Sequence, residues 1–476
     1  MNYIMSSNSS DTTTQNISRI PMRNKIHIQP CISFPSRVPQ IVVQFQERYN
    51  KIDRILDENL DILQTFHADL CKSCSAAGRQ STFSSEQFLR MIAVKVIEGH
   101  SLRDLIIRVS DSDFLRNFTR IFSGKMMGFA ELDSAIKSVT PETWEKINAL
   151  LLRYARRKNK ISGKRLRLDS TVCETNIHYP TDASLLWDSF RVAARSMQQC
   201  VEADAVLTME NRFHDKKVKR LYTFVSTHSG KKRSNRAVRR NMKKLIEKTE
   251  WICTTAHKFI RNADEKATAS IEAIGLVQQL RDKLPLMERI AACARRVYNG
   301  ETVPASDRIF SIFEPHTELL KRGKARKPVE FGHMVTIGQT AEKFISFYCV
   351  EKQSRHDIRI GDEALREHKK IFSKYPKEFT ADKNYYGGPE HLEKWEKRIP
   401  AYAVGKKGRR DEDETEREHG LLFRLLQKFR AGCEGSISVL KRVFGLYRCL
   451  FHGFKSFASA TGSIVFCHNL VVLSRL

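Results

Sequence analysis

The chain has 476 residues, enough for two or three domains and a sizeable hydrophobic core. Its 82 Lys and Arg residues outnumber its 54 Asp and Glu residues, and the net charge of +28 indicates a polyanionic partner, most simply nucleic acid. No long apolar run is present and the first residues are polar, so the sequence predicts a cytoplasmic protein without a signal peptide or membrane span.

The N-terminal part combines a polar tail with a helical pattern. Residues 1–37 have low hydrophobicity and several prolines, which predicts a disordered tail. The apolar stripe that follows has a 4-3 spacing with one core Asn. It fits either a short coiled coil between two chains or a long amphipathic helix that packs on its own domain. The stripe comprises Phe45, Tyr49, Ile52, Leu56, Asn59, Leu63, Phe66 and Leu70.

Helix-capping patterns follow the stripe. Ser84 with Gln87, and Ser101 with Asp104, fit the capping box that begins a helix. Short helices at this spacing are typical of a helix-turn-helix array that binds DNA, and equally of a plain helical bundle. The predicted helices cover residues 85–97, 101–110 and 112–122.

Two Asp residues lie at the ends of predicted strands. The segment Leu166–Val172 alternates like a strand and contains Asp169 beside two hydroxyl residues. A second short strand, at 377–382, ends in a turn at Asp382. An Asp before a polar turn most often only stabilises the turn, so neither residue alone indicates a functional site.

The elements between these strands predict a sheet with a large insertion. A hairpin over 332–338 and 343–350 supplies strands two and three, and a helix at 361–373 leads to the strand that ends at Asp382. A fifth strand is predicted at 401–404. Since these elements complete the sheet, residues 183–325 are predicted to form a helical insertion.

A basic run lies inside the insertion. Lys231–Lys248 contains nine Lys or Arg residues and one Glu. Arg233, Arg236, Arg240 and Lys244 fall on one side of a helix, which suits contact with DNA phosphates. A solvated charged face is the alternative.

A third acidic residue lies in a helical segment near the C-terminus. Arg430, Glu434 and Lys441 fall within about 60° of one another around a helix, so one carboxylate lies between two cations. The simplest interpretation is an exposed i,i+4 ion pair. Together with Asp169 and Asp382, however, Glu434 supplies three hard oxygen ligands, which can hold two Mg²⁺ ions about 4 Å apart for attack on a phosphodiester.

The combination resembles a DDE-type insertion-sequence transposase with a ribonuclease H-like catalytic core. A further stretch, Ser85–Asp104, is similar to the helical N-terminal domain common in such transposases. The core resemblance is carried by Arg167–Asp182, Ile312–Thr317, Pro328–His333, Thr380–Asp382, Arg430–Gly445 and Cys467–Leu470.

The resemblance implies a fold and a domain order. We expect a mixed α/β ribonuclease H-like core over 159–182 and 326–476. An all-α domain for DNA binding or dimerisation is expected over 38–158, and the basic helical insertion covers 183–325.

The resemblance also implies a site. Asp169, Asp382 and Glu434 would be the catalytic residues and the ligands of two Mg²⁺ or Mn²⁺ ions. Arg430 and Lys441 match an Arg–Glu–Lys signature in which both cations contact DNA. The signature often has Tyr three residues before the Arg. The expected DNA contacts are Arg430, Lys441, Arg442, Arg233, Arg236, Arg240 and Lys244.

Gln427 stands where the signature often has Tyr, so the corresponding phosphate contact differs here. Asn384 replaces the Gly that commonly follows the second Asp, a change that affects the turn because Asn tolerates positive φ. His178 and Asp182, just after the first Asp, either shape the site or only order their loop.

The expected activity is metal-dependent cleavage of transposon ends and strand transfer into target DNA. The expected partners are double-stranded terminal inverted repeats, target DNA and a second copy of the chain, all on the bacterial nucleoid. The alternatives are a nuclease that cuts without joining and a non-catalytic DNA-binding repressor. The intact set of three acids argues against the repressor.

Overall fold

The computed structural model describes residues 39–72, 81–122, 124–209, 211–230, 235–266, 270–321, 328–353 and 357–476. Two compact units are formed: one ends at Ser162 and also includes Gly462–Leu476, and the other is Gly163–Thr461. The predicted tail and Arg233 lie outside the described residues. The C-terminal residues 462–476, expected in the catalytic domain, group with the N-terminal helices instead.

The described residues of the first unit form helices and connecting turns. Apolar residues at helical spacing bury one side of each longer helix, which is the pattern that predicted an all-α domain. The helices are α1 (Gln40–Asp57), α2 (Leu60–Leu70), α3 (Ser85–Glu98), α4 (Leu102–Asp111), α5 (Asp113–Phe118), α6 (Phe129–Ser138) and α7 (Pro141–Arg157).

The apolar stripe does not form one continuous helix. Asn59 has φ −124° and ψ 62°, which is not helical, and separates α1 from α2. Its side-chain Nδ2 donates to the carbonyl of Ile55 at 2.6 Å, so the amide competes with the backbone N–H for this carbonyl. Tyr49, Ile52 and Phe66 are fully buried inside this unit. The prediction of a single long helix is therefore wrong.

The capping box of α3 is confirmed. Ser84 Oγ accepts from the Gln87 N–H at 3.2 Å, and Gln87 Oε1 accepts from the Ser84 N–H at 2.8 Å. The third predicted helix ends at Phe118 rather than at 122. Arg120, with φ 57°, cannot continue the helix, and its guanidinium pairs with Asp53 at 2.8 Å.

The second unit alternates between strands and helices. Its strands are β1 (Arg165–Thr175), β2 (Glu318–Lys321), β3 (Val329–Thr340), β4 (Ile345–Val350), β5 (Glu378–Thr380), β6 (Ala401–Ala403) and β7 (Arg448–Cys449). Its helices are α8 (Asp182–Ala203), α9 (Asp215–His228), α10 (Asn235–Glu265), α11 (Ile271–Tyr298), α12 (Asp357–Phe372), α13 (Pro389–Glu396), α14 (Glu412–His419) and α15 (Leu421–Arg442). The final helix, α16 (Phe454–Arg475), begins in this unit and ends in the first.

The seven strands form one mixed sheet around β1. Strand β3 is antiparallel to β1, with Leu166 opposite Thr340, and β2 and β4 are antiparallel to β3. Strands β5 and β7 are parallel to β1, and β6 is parallel to β5. The predicted hairpin (β3 and β4), helix α12 and strands β5 and β6 follow β1 in the predicted order, whereas β2 and β7 were not predicted.

The two faces of β1 carry different side chains because neighbouring residues of a strand point in opposite directions. Leu166 and Leu168 are fully buried in a cluster with Phe379 and Trp395, which covers one face of the sheet. Arg167 and Asp169 contact helix α15 on the other face. The sheet therefore has one apolar face and one face that carries charged residues.

The helical pattern of the insertion is confirmed for α8–α11. Leu186, Phe190 and Leu280 are buried in a core that these helices share, and α8 packs against α9, α10 and α11. The end of the predicted insertion is not helical, however. Strand β2, within 183–325, pairs with β3 and extends the sheet.

One described helix, α16, is long and apolar enough to cross a membrane. Its apolar window is 72% buried within the molecule, which is typical of a core helix.

Candidate active site

Asp169 lies on the face of β1 that meets α15. Its side chain is 15% exposed, and Oδ2 lies 3.6 Å from Nη1 of Arg430 on α15. Oδ1 accepts a hydrogen bond from the Ser170 N–H at 2.8 Å. The alternation that buries Leu168 on one face therefore presents this carboxylate to the opposite one.

Asp382 follows β5, the parallel neighbour of β1. Arg167 of β1 is in register with Thr380 of β5, so Asp169 and Asp382 each follow a paired residue by two positions. Asp382 begins a short 3₁₀ helix, Lys383–Tyr385, and Asn384 Nδ2 donates to its Oδ2 at 3.3 Å. The two Asp residues are thus brought to the same part of the sheet.

Hydroxyl groups connect the backbone near the two acids. Ser170 Oγ lies 2.7 Å from the Tyr385 hydroxyl and 2.9 Å from Thr336 Oγ1. Tyr385 is almost fully buried, and burial raises the pKa of its hydroxyl well above the ordinary value. Since Ser170 follows Asp169 and Tyr385 lies in the turn after Asp382, this network fixes one acid-bearing segment against the other. No role for Tyr385 was predicted from the sequence.

Glu434 comes from α15, which packs against β1, β5 and β6. The expected i,i+4 pair is present: Arg430 Nη2 lies 3.3 Å from Glu434 Oε1. The Glu434 side chain is 63% exposed, whereas that of Arg430 is only 19% exposed. Arg430 therefore lies between the carboxylates of Asp169 and Glu434 and contacts both.

Gln427 holds Arg430 in this position. Its Oε1 accepts from Arg430 Nε at 3.0 Å, and its Nε2 donates to the carbonyl of Ala403 at 3.0 Å. The amide thus connects the guanidinium to the end of β6. Gln427 stands where related signatures often have Tyr, and here it orients the Arg.

The electrostatics of Asp169 reflect the clustering of the acids. Burial raises the pKa of Asp169, and the charges of Asp382 and Glu434 act in the same direction. The Ser170 N–H and the Arg430 guanidinium oppose this increase. Asp169 therefore lies close enough to both other carboxylates to be repelled by them, and Arg430 offsets part of that repulsion.

The residue types suit a hard divalent cation, since carboxylate oxygens are the ligands that Mg²⁺ prefers. Across the described ranges, however, no three His, Cys, Asp or Glu side chains lie close enough together to bind a metal ion. Arg430 lies between two of the three acids. The donor types fit Mg²⁺, but ion binding would require the three carboxylates to move closer together and Arg430 to leave at least one of them.

Arg167 joins the strand that carries Asp169 to the helix that carries Glu434. Its side chain is buried, and burial lowers the pKa of its guanidinium. Nε and Nη2 donate to Gln339 Oε1 at 3.1 and 2.5 Å, and the ring of Phe429 lies 4.8 Å from the guanidinium carbon. From the sequence, Arg167 was recognised only as part of a motif. The feature that could have predicted its role is a cation at an inward-facing position of a strand.

The remaining predicted DNA contacts lie in two places. Lys441 is half-buried near the far end of β1, where its charge acts on Cys173, and Arg442 is exposed. Arg236, Arg240 and Lys244 are exposed on α10, which packs against α8, α9 and α11. The three α10 residues therefore belong to the surface of the insertion.

His178 and Asp182 make contacts within the connection from β1 to α8. His178 Nε2 lies 3.4 Å from Asp188 Oδ2, and Asp182 Oδ1 lies 3.5 Å from Arg308 Nη1. Thr181 caps α8 with a reciprocal bond to Ser184. These contacts order the loop.

Part of the chain matches a known protein family. Residues 321–470 match the family model for the transposase DDE domain. The resemblance to DDE-type transposases is confirmed. The matched DDE domain includes Asp382, Arg430, Glu434 and Lys441, while Asp169 lies before it. No match was found among curated proteins or among solved structures.

Proposed function

We propose that the protein is a DNA transposase that cleaves the ends of a mobile element and joins them to target DNA. The observation that carries this proposal is that Asp382 and Glu434 both lie close enough to Asp169 for their charges to act on it, with Arg430 between Asp169 and Glu434 on the charged face of the sheet. Mg²⁺ or Mn²⁺, two ions per site, is the cofactor that such acids would bind. The match to the transposase DDE domain supports the same function.

We also propose that the sheet is a ribonuclease H-like core. Three neighbouring antiparallel strands of the sheet, β4, β3 and β1, are followed across the sheet by the parallel strands β5 and β6. Asp169 lies on the central strand β1, and Asp382 lies just after its parallel neighbour β5. Glu434 lies on helix α15, which packs against both strands. This order supports the fold that the sequence resemblance implied.

In this mechanism Asp169, Asp382 and Glu434 would hold the ions, which would supply Lewis-acid chemistry for attack on a phosphodiester. Tyr385 and Ser170 keep the two Asp residues aligned through their hydroxyl contact. Arg430 neutralises Asp169 and Glu434 before the ions bind. If bound cations balance the charge of the carboxylates instead, the guanidinium would be free to contact a phosphate oxygen of the substrate.

Further DNA contacts are assigned to cations outside the acid cluster. Lys441 and Arg442 extend the same helix toward the far end of β1, where flanking phosphates would lie. Arg236, Arg240 and Lys244, with Arg233, would contact DNA from the insertion.

We propose that two chains pair two element ends, since both ends must be cut together.

The test begins with the DNA that flanks the coding frame. Inverted repeats there define an end duplex, which the purified protein should cut in Mg²⁺ and join to a target plasmid. Asp169→Asn, Asp382→Asn and Glu434→Gln should each abolish cutting and retain end binding. Cutting without joining would indicate a nuclease, and binding without cutting by the unaltered protein would indicate a repressor. Retained cleavage by Glu434→Gln would overturn the site assignment.

A further inference from the structure

Helix α9 of the insertion has one strongly basic face. Lys216, Lys219 and Arg220 are exposed near its start, and Thr223 and Thr227 continue the same face toward its end. These positions recur every three or four residues, which places them on one side of a helix. The face lines a shallow cleft of about 510 Å³.

The opposite side of α9 is fixed to the insertion. Val218 and Val225 are buried in the core shared by α8–α11, and Leu221 and Tyr222 pack against that core. Because these apolar residues alternate with the cations at helical spacing, the helix cannot turn its basic face inward without exposing them. The basic face is therefore a fixed surface.

The cations of this face have no acidic partner among the residues that the structure describes. Other basic residues of the insertion do pair: Arg281 with Asp264 at 2.5 Å, and Arg295 with Glu250 at 2.6 Å. The one acid of α9, Asp215, is exposed and forms no ion pair with a described residue, and desolvation raises the pKa of its carboxyl. Within the described residues, the face therefore keeps an excess of positive charge.

Size and chemistry select a nucleic-acid backbone as the occupant. From Lys216 to Thr227 the helix rises about 16 Å, which corresponds to roughly five base pairs along the axis of duplex DNA. Lys, Arg and Thr side chains are standard phosphate contacts, and they carry no base information. Phe224 and His228 form a stacked pair at the end of the face, with ring centroids 4.3 Å apart. Each ring is half-buried, so the pair supports the surface and leaves little ring face for stacking on a base.

We propose that this face of α9 binds the phosphate backbone of double-stranded DNA without sequence preference, as a site separate from the acid cluster. The proposal rests on the proposed function in that DNA is the substrate. This site is distinct from the DNA contacts on α10 that the sequence predicted, because here the cations of α9 bind the duplex.

The test uses the full chain and fluorescence anisotropy at several salt concentrations, with an end duplex and a random duplex of equal length. The double variant Lys219→Ala/Arg220→Ala should weaken binding to both duplexes equally, by roughly tenfold to a hundredfold near 0.1 M salt. The slope of log K against log salt should become shallower by about 1.8 units. The matched control is Lys258→Ala/Arg261→Ala, an exposed Lys and Arg pair on α10.

An unchanged slope in the α9 variant, or an equal change in the control, would overturn the proposal. A loss confined to single-stranded DNA would assign the face to a different ligand and would also overturn it. Cleavage of the end duplex by the unaltered protein is measured in parallel. If the protein binds no duplex at all, the proposed function itself fails. If it cuts ends while the α9 variant binds normally, only the α9 site is wrong.

Discussion

Arg167 on β1 donates a hydrogen bond from Nη1 to the backbone carbonyl of Phe429 on α15, at 2.9 Å. One turn further along this helix is Gly432, and a methyl group there would lie 2.3 Å from the same nitrogen. The close approach of guanidinium and helix therefore requires a residue without a side chain. Asp169 lies two residues after Arg167, and Glu434 lies two residues after Gly432. The distance between the two acids therefore depends on this contact between β1 and α15.

Replacement of Gly432 with Ala should disturb the active site through Arg167. The added methyl would displace the guanidinium and leave the Phe429 carbonyl and a buried cation without their hydrogen bond, at a cost of about 1–3 kcal/mol. We expect lower stability and at least a tenfold loss of end cleavage. The control is Gly435→Ala on the same helix, where no atom lies within 4 Å of the new methyl. That change should be neutral or slightly stabilising. Equal effects of the two substitutions would contradict the role of Arg167.

Arg430→Gln should change how the protein responds to divalent ions. Without the guanidinium, Asp169 and Glu434 lose the cation that now separates them, so the melting temperature in a chelator should fall. The increase in melting temperature on adding Mg²⁺ should be larger than in the unaltered chain, since no side chain competes with the ion. Arg424→Gln, at an exposed position of α15, is the control. An identical Mg²⁺ response in both variants would argue that Arg430 does not occupy the ion-binding position.

Lys441→Ala tests whether this cation contacts DNA beside the acids. Loss of one phosphate contact should make the salt dependence of end binding shallower by about one unit, with little effect on which sequence is bound. Anisotropy titrations at several salt concentrations give this slope. Lys428→Ala on an exposed position of the same helix should leave the slope unchanged. A slope that does not change with Lys441→Ala would reduce this residue to a structural role.

A buried histidine should make the protein less stable in mild acid. His368 Nε2 donates to the Gly163 carbonyl at 2.9 Å, and burial lowers the pKa of His368 to about 4. Because the folded pKa is below the unfolded one, the unfolded state takes up the proton first, and stability is lost as pH falls from about 6.5 toward 4. The loss between pH 7 and 5 should be about 2 kcal/mol for this residue.

His368→Gln keeps a side-chain N–H donor but does not titrate. Urea unfolding of the variant should therefore lose about 2 kcal/mol less stability between pH 7 and 5 than the unaltered chain. Between pH 7.5 and 9 the two proteins should differ by a constant amount, which serves as the internal control. Parallel curves over the acid range would contradict the burial effect.

Ile52→Ala distinguishes intradomain packing of the apolar stripe from a contact between chains. Ile52 is fully buried within its own unit, so its truncation should lower the free energy of unfolding by about 2–5 kcal/mol. The mass of the DNA-bound complex, measured by light scattering, should not change. Ile41→Ala, which removes a 74% exposed side chain from the same helix, should affect neither. Dissociation of a dimer by Ile52→Ala alone would restore the stripe as an interface.

Much of the sheet could be predicted because its signals are local. The alternation around Asp169 and the short apolar run before Asp382 follow from a periodicity of two, and the helical spacing of Arg430 and Glu434 is equally local. The paired strands β1 and β5 then need only a parallel register to bring the Asp residues together. Such a register follows from the order of elements along the chain.

Other features depend on contacts between distant residues and had no local signal. The break at Asn59 competes with an apolar pattern that continues on both sides of it. Strand β2 has four residues, too few for a clear alternation, and exists because β3 offers it an edge. Arg167 and Tyr385 matter only because Phe429 and Ser170 meet them across the fold. Sequence reasoning on one element cannot supply such partners.

The position of β1 in the chain has a consequence for synthesis of the protein. All strands that pair with β1 follow the insertion, and Glu434 lies 265 residues after Asp169. On a ribosome the first acid therefore emerges on the order of tens of seconds before the last. The insertion helices can fold during this delay, since their contacts are with one another. A nascent chain cannot assemble this site until Glu434 has left the ribosome, so cleavage and joining of DNA would begin only after that point.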